Sequence, residues 1–512
     1  MKKIFILIFM ISSLSFAQGE LKLLTSIHGE KTGDYFTSLD AIGDINGDGF
    51  NDFIIGANDK YVKLYFGGSP FDTLTCIKYL NGVRKRVSVS GCGKGDLNGD
   101  GYNDFVINST YDVNDYRVYV YFGGKDKDTT ADLVITNNIW YSNFGARAIN
   151  GDLNGDGYKD LVASAPNDDY DAHGRLYIYY GGKNMDTVCD VFLEGKDHFD
   201  MFGSSVAIVG DVNGDGYDDL LVGAPQSLAN KKPGKAYLFL GGKTIGFDNC
   251  IEFDGDSTDR SYGIKVAGLG DINGDGVNDF AIVSGKYIDI FSGKTLKKLF
   301  RVTSNKKFWY PLNIAGGYDL NKDGYCDFLV SYADLENQYA GGVDLYLGGK
   351  ELDTLPIATI NGKNPNSYFG KQLIISGDIN NDGSPEIMIG EDGELTQDGV
   401  IGSGTVYIYE YNKLDGIKNP TPLLPNKYKL YSNYPNPFNP STTIKYDLPK
   451  TSHVIIKIFD SVGKEITSLI NKNQLPGSYT MNFNANNLSS GVYFYKIITD
   501  EWVSTKKMIL IK

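Results

Sequence analysis
DVNGDGYDD, Asp211–Asp219, is one of seven nine-residue acidic stretches that punctuate this chain. The others are DINGDGFND (Asp44–Asp52), DLNGDGYND (Asp96–Asp104), DLNGDGYKD (Asp152–Asp160), DINGDGVND (Asp271–Asp279), DLNKDGYCD (Asp319–Asp327) and DINNDGSPE (Asp378–Glu386). Their starts lie 52, 56, 59, 60, 48 and 59 residues apart. A period of this size marks a repeat architecture, in which one supersecondary unit stacks on copies of itself.

Each stretch offers oxygen at alternate positions: side chains at one, three, five and nine, and the backbone carbonyl at seven. In the opening copy these are Asp211, Asn213, Asp215 and Asp219, with the carbonyl of Tyr217. The same set recurs as Asp44, Asn46, Asp48, Phe50 and Asp52; as Asp96, Asn98, Asp100, Tyr102 and Asp104; and as Asp152, Asn154, Asp156, Tyr158 and Asp160. It continues as Asp271, Asn273, Asp275, Val277 and Asp279; as Asp319, Asn321, Asp323, Tyr325 and Asp327; and as Asp378, Asn380, Asp382, Ser384 and Glu386. Alternate spacing folds the oxygens around one centre, and Gly216 sits where the chain must turn sharply. Hard oxygen donors in a flexible ring suit Ca²⁺ better than Mg²⁺, which demands tight octahedral geometry. The start, D-x-N-x-D-G, is shared with the helix–loop–helix calcium loop, but the closing acid comes at position nine. Asn-Gly and Asp-Gly are also plain hairpin signals. A turn alone, however, does not require acids at one, five and nine in all seven copies. The expectation is up to seven Ca²⁺ ions, with affinities of roughly 10⁻⁴–10⁻³ M as in other extracellular modules. The sixth and seventh copies depart most, through Lys322 inside the loop and through Glu386 after Pro385.

The units read alike. In the fourth, a strand over Ser204–Val209 enters the acidic loop and a second follows over Asp219–Val222. Gly223-Ala224-Pro225, a polar loop, a third strand over 236–240 ending in Gly241-Gly242, and a fourth over Cys250–Phe253 complete it. Four short strands per unit is the cue for a propeller blade. The last unit ends at Val406–Tyr411 without a fourth strand, and an unassigned strand, Leu21–His28, precedes the first unit. Pairing the two closes a ring of seven and removes an exposed edge.

Formal net charge is −14 over 512 residues, and no basic stripe exists to neutralise phosphates, which argues against nucleic acid. Three ligand carboxylates in each of seven loops account for 21 of the 63 acids, so seven Ca²⁺ ions would neutralise much of this charge. Residues 1–17 read as a signal peptide: two lysines, an apolar run and a small-residue end at Ala17. No other segment is apolar and long enough for a transmembrane helix. The five cysteines (Cys76, Cys92, Cys189, Cys250, Cys326) lack metal-ligand spacing and read as buried thiols rather than a disulfide framework.

On these residues the chain resembles the FG-GAP repeat family, the repeat of integrin α-subunit propellers and of many bacterial surface proteins. Phe144-Gly145, Phe202-Gly203 and Phe369-Gly370 match its FG element, Ala165-Pro166 and Gly223-Ala224-Pro225 its GAP element, and the acidic loops its calcium loops. The first unit departs, with Tyr35-Phe36-Thr37 and Gly56-Ala57-Asn58, and the second and sixth are looser. The resemblance implies a calcium-binding propeller over 18–411 and leaves the role open, because one fold hosts many functions.

A proline-punctuated linker, 412–427, follows. Residues 428–512 then read as short alternating strands, including His453–Phe459, Gly477–Phe483, Gly491–Ile498 and a terminal Met508–Lys512, as in a small Ig-like β-sandwich. Asn433-Tyr434-Pro435-Asn436-Pro437-Phe438-Asn439-Pro440, Leu448-Pro449, Pro476-Gly477 and Ser490-Gly491-Val492-Tyr493 closely resemble the C-terminal sorting domain of the type IX (Por) secretion system. That resemblance implies the type IX machinery as a partner, and a secreted or outer-membrane surface-attached product.

The fold expected is thus all-β, a seven-bladed β-propeller followed by a small Ig-like β-sandwich. No G-x-S-x-G, H-E-x-x-H or P-loop occurs, and His28, His173, His198 and His453 fall in different units, so no catalytic residue is assigned. The expected role is a calcium-stabilised, non-catalytic surface or secreted binding and adhesion protein. Its glycan or protein ligand would sit on the face opposite the acidic loops. That face carries Trp140-Tyr141, Asp168-Asp169-Tyr170, His198-Phe199, Asn230-Lys231-Lys232, Arg260-Ser261-Tyr262 and Phe308-Trp309-Tyr310. The alternatives are a propeller enzyme acting on extracellular polysaccharide and a self-associating structural surface protein.

Overall fold
The computed structural model describes residues 19–511 except 32, 58–60, 80–85, 90–94, 113–114, 127, 138, 140–141, 168–172, 227–231, 258, 304–309, 334–337, 353, 394–401, 414–426, 432, 434, 475–476 and 487. The expected signal peptide, Cys92, Trp140, Trp309 and the Asp168–Tyr170 stretch lie outside the described residues. The chain divides into two compact units, 1–414 and 415–512.

The first unit holds seven four-stranded sheets among the described residues, six of them with their strands side by side in chain order. Sheet four runs Ser205–Gly210, Asp219–Ala224, Lys235–Phe239, Cys250–Asp254. Successive strands pair antiparallel, with Val206 opposite Val222 and Leu221 opposite Leu238. The acidic loop therefore joins strands one and two at one end, and the loops from strand two to three and from strand four onward leave the other end. Strand two is buried along its whole length in sheet after sheet, as in Asp52–Ala57, Asp160–Ala165 and Asp219–Ala224. Strand four alternates, as in Val191–Glu194. A strand covered on both faces must lie between neighbouring sheets, and an alternating one lies near the outside. The cores agree: Val162 and Ile178 of sheet three share a cluster with Phe202 and Val222 of the fourth unit.

Packing within each sheet repeats as well. The residue after the ninth acid faces the end of strand three, and where both are aromatic they stack. Phe53–Tyr65, Phe105–Tyr121, Phe280–Phe291 and Phe328–Tyr346 have centroids 5.2, 5.0, 5.4 and 4.9 Å apart. Such pairs add about 0.5–1.5 kcal/mol each beyond area burial.

The seventh sheet is completed from the other end of the chain. Gly19–His28 pairs with Thr405–Lys413, Ile27 opposite Val406, beside Glu386–Glu391 and Gln372–Gly377. First strands pack on first strands: Gln372–Gly377 against Phe36–Gly43, Ser205–Gly210 against Lys265–Gly270, and the latter against Tyr310–Tyr318.

The second unit has a three-stranded sheet (Lys429–Leu430, Ser441–Leu448, Gly477–Asn484) and a four-stranded one (Glu465–Gln474, Ser452–Phe459, Gly491–Ile498, Val503–Leu510). Ile444, Tyr446 and Leu448 of the first share a core with Val454, Ile456, Ile458, Tyr495 and Met508 of the second. The strand Glu465–Gln474 escapes the sequence reading because its EITSLINKNQ pattern has no clean alternation, and only a few of its residues reach the core. The last strand begins at Val503 rather than Met508, because Val503–Lys507 is exposed or half-buried throughout and carries no apolar alternation to mark it.

Candidate metal centres
All seven acidic loops share one backbone conformation, held by their own hydrogen bonds, although the amides of Asn273 and Asn380 turn to donate to the ninth acid. The first acid gathers backbone N–H groups: Asp96 accepts from Gly99 at 2.5 Å, Asp100 at 3.1 Å and Gly101 at 2.7 Å. The third residue accepts from the fifth, Asp100 N–H to Asn98 Oδ1 at 2.9 Å, and the fifth from the seventh, Tyr102 N–H to Asp100 Oδ1 at 2.9 Å. Two positions need left-handed backbone. Position six is glycine throughout, with φ between 85° and 92°. Position four is glycine in five loops, with φ between 75° and 79°, whereas Lys322 and Asn381 hold 60° and 59°.

The ninth acid does something that the ligand spacing does not reveal. One of its oxygens accepts the N–H of the second loop residue in all seven copies: Ile45, Leu97, Leu153, Val212, Ile272, Leu320 and Ile379, at 2.7–3.1 Å. In six copies its other oxygen accepts from the glycine closing strand three: Gly67, Gly123, Gly181, Gly241, Gly293 and Gly348, at 2.8–3.1 Å. Each of these acids is fully buried. The Gly-Gly that ends strand three was the available signal, and its reading as a strand terminator missed this clamp.

Where a second glycine follows, its N–H reaches the preceding loop. Gly124 donates to the Ile45 carbonyl, Gly182 to Leu97, Gly242 to Leu153 and Gly349 to Ile272, at 2.7–2.8 Å. Gly68 donates likewise to Ile379 at 2.8 Å, which makes the seventh loop the neighbour of the first. The tyrosine at position seven completes the contact. Tyr102, Tyr158, Tyr217 and Tyr325 lie over Gly47, Gly99, Gly155 and Gly274 so closely that a Cβ there would come within 2.2–2.7 Å of the ring. Lys322 is tolerated because the next loop carries Ser384 in place of a tyrosine. Its ammonium lies 3.7 Å from where a Cβ on Gly383 would stand, beside the seventh loop rather than within its own.

The seventh loop alone, among the described residues, brings three carboxylates together: single oxygens of Asp378, Asp382 and Glu386 lie within 4.8 Å of one another. The longer glutamate arm accounts for this. In the other loops the shorter ninth aspartate is drawn back by its two backbone donors. Burial pushes Asp104, Asp160, Asp279 and Asp327 up to about 7, Asp219 to about 6 and Glu386 to about 8, with the first and fifth acids adding to each shift. The donor set is oxygen throughout and the electrostatic need is for positive charge, so a hard divalent cation fits.

The opposite face is assembled differently. The FG phenylalanines Phe36, Phe144, Phe202 and Phe369 are core residues, and so is Tyr262, which the sequence placed among the exposed aromatics. A buried polar residue two before each phenylalanine (Asp34, Ser142, Asp200, Ser367) anchors the turn. Asp34, for example, accepts from Lys31 N–H and the Tyr61 hydroxyl at 2.8 and 2.9 Å. Local charge networks differ from sheet to sheet. Glu30 bridges Lys63 and Lys78 at 3.0 and 2.5 Å; Arg301 holds Asp289 and Asp256 at 2.6 and 2.9 Å and stacks on Tyr287. The His173 and His198 rings lie 4.5 Å apart. Four cysteines, Cys76, Cys189, Cys250 and Cys326, are free and half-buried.

Comparison with known proteins agrees with this geometry. The FG-GAP repeat model matches residues 144–179 and 202–239, and the secretion system C-terminal sorting domain model matches 432–512. Integrin alpha-5 of Xenopus laevis is 27% identical over 201 residues, 37% of this chain and 19% of that protein. Integrin alpha-PS5 of Drosophila melanogaster is 36% identical over 150 residues, 27% of this chain and 14% of the relative. Integrin alpha-8 of Mus musculus is 34% identical over 202 residues, 35% of this chain and 18% of the relative. The chain spans less than a fifth of the length of these relatives.

The first unit is thus all-β, carries FG-GAP repeats over 144–179 and 202–239, and is similar over part of its length to integrin α-subunits; integrin-like FG-GAP propellers commonly bind calcium. The sorting domain marks a secreted or outer-membrane-attached protein, and no helix among the described residues is long and apolar enough to cross a membrane.

Proposed function
We propose that this is an exported, calcium-stabilised binding protein: a seven-bladed propeller over 18–411, a linker, and an Ig-like sorting domain over 428–512 read by the type IX machinery after a signal peptide, 1–17, has been removed. Each acidic loop holds one Ca²⁺ through the side chains at one, three, five and nine and the carbonyl at seven. The ions rigidify the rim, and a glycan or protein ligand docks on the opposite face without being chemically altered. One observation carries this reading: the loop-to-loop hydrogen bonds that join consecutive sheets also join the seventh to the first. A ring fixed in this way is a scaffold, and functional residues gather on the loops of a rigid scaffold.

The test is thermal unfolding of the exported chain with Ca²⁺, with Mg²⁺ and with chelator. An ion bound only by the folded state at 100 times its Kd adds about 2.7 kcal/mol per site. Several sites together should raise the Tm by well over 10 °C with Ca²⁺ and far less with Mg²⁺. Equal melting in Ca²⁺ and chelator would overturn the metal assignment.

A further inference from the structure
The strand register defines a layer on the innermost strands, at the end away from the acidic loops. Ser38 stands opposite Gly56, Ser88 opposite Asn108, Ser205 opposite Gly223, Lys265 opposite Val283, Asn313 opposite Ser331 and Gln372 opposite Gly390. Arg147, immediately before Ala148 opposite Ala163, holds the same level in sheet three, and its carbonyl accepts the Ser164 N–H at 2.9 Å. All seven residues are polar, two are cationic and none is acidic. In a chain of net charge −14 this is the inverse of the overall balance.

Two of the serines are used between sheets: Val89 and Val266 of the next sheets donate their N–H to Ser38 and Ser205 at 3.0 Å. The two cations are not so engaged. Arg147 donates to the carbonyl of its neighbour Ala146 at 2.9 Å, and among the described residues neither it nor Lys265 forms an ion pair. The Arg147 charge, then burial, lower Lys265 to about 7, and burial alone lowers Arg147, so among the described residues no carboxylate offsets either one. Both side chains nevertheless remain partly open to water. Groups walled by protein on all sides and still wet belong in a channel, here the one enclosed by the first strands.

The geometry points to an anion-binding site at this end of the channel, where Arg147 and Lys265 together receive a carboxylate, sulfate or phosphate group carried by an extracellular ligand. The inference rests on the ring arrangement and deepens the reading of the opposite face as the binding face. Two like charges held together without a counter-charge repel, and an entering anion converts that repulsion into attraction in a partly desolvated setting. Arg147 supplies a planar fork suited to two oxygens, Lys265 a point charge.

Equilibrium dialysis of the calcium-loaded full chain against labelled sulfate, acetate and methyl phosphate at fixed ionic strength tests it. One equivalent should bind, and Arg147→Gln or Lys265→Gln should weaken binding at least tenfold, while Lys125→Gln at an exposed turn changes nothing. The preferred ion then identifies the ligand as sulfated, uronate-like or phosphorylated. Each variant should also melt no lower than wild type in the absence of these ions, because it removes a repulsion; a structural pair would lower the Tm. No bound anion in a chain that melts cooperatively and responds to Ca²⁺ overturns the inference and leaves the calcium-stabilised scaffold standing. Binding that survives both substitutions marks an adventitious ion only.

Discussion

The two ends of the same strands follow different rules. At the acidic end, the bond from the second loop residue to the ninth acid recurs in every sheet within 0.4 Å, at 2.7–3.1 Å. At the other end, sheet one is tied by Glu30 to two lysines, sheet five by Arg301 to two aspartates, and the seventh unit by Lys371 to Asp392. The repeated end solves a problem common to all sheets, which is how to stand beside the next one. At the variable end only the buried FG turn recurs, while the charge networks around it differ from sheet to sheet, and that leaves its surface available for a ligand.

Within the repeated end, the clamp and the cage can be separated by mutation. Asp219→Ala leaves the buried N–H groups of Val212 and Gly241 without their acceptor, at a cost of roughly 2–5 kcal/mol. The loss should persist in chelator. Asp215→Ala removes an exposed carboxylate of the proposed calcium site and should leave the chelated Tm within about 2 °C while reducing the calcium-dependent gain. Chemical denaturation of both variants with and without Ca²⁺ decides the matter. If the two losses match in chelator, the ninth acid is no more structural than the fifth.

A finer contrast lies between two glycines with the same backbone. Gly155 and Gly214 have φ of 77° and 79°, but a Cβ on Gly155 would meet the Tyr217 ring at 2.5 Å, while nothing lies within 4 Å of one on Gly214. Alanine at Gly214 should cost only the left-handed penalty, about 1–2 kcal/mol. Alanine at Gly155 should cost at least about 1 kcal/mol more, because the ring must move. Equal destabilisation would mean that the tyrosine contact contributes nothing to sheet alignment.

These contrasts also explain what could be read in advance. The loops were legible because ligand spacing and the two turn glycines leave a short-range pattern, Asp211 to Asp219, that needs no knowledge of the fold. The completing strand was legible as a remainder, Leu21–His28 lacking a partner at one end and Val406–Tyr411 lacking one at the other. What escaped depends on contacts between distant segments. Gly241 donates to Asp219 from 22 residues away, and nothing in a Gly-Gly pair names its acceptor. Tyr262 looked like a surface aromatic in an RSY stretch, yet it occupies the buried FG position, where sheet five has tyrosine in place of phenylalanine. The cation pair was hidden most deeply, because Arg147 and Lys265 share a layer only once strand register is known.

That pair yields the smallest effect, and one specific to the variable end. Lys265 is lowered from 10.5 to about 7, chiefly by Arg147. A lysine with a depressed folded pKa binds fewer protons folded than unfolded between those values, so stability from this group rises with pH across that window and is lowest below it. Removing Arg147 restores part of the lysine's basicity and flattens the slope. Arg147→Gln should therefore melt above wild type at pH 6, by a few degrees at most because Lys265 keeps some contact with water, and the two curves should converge by pH 9.5. Melting curves in calcium-containing buffer free of sulfate, acetate and phosphate provide the measurement. Parallel curves from pH 6 to 9.5 would show that the two cations do not sense each other, and the layer would then be a set of seven independent polar residues rather than a site.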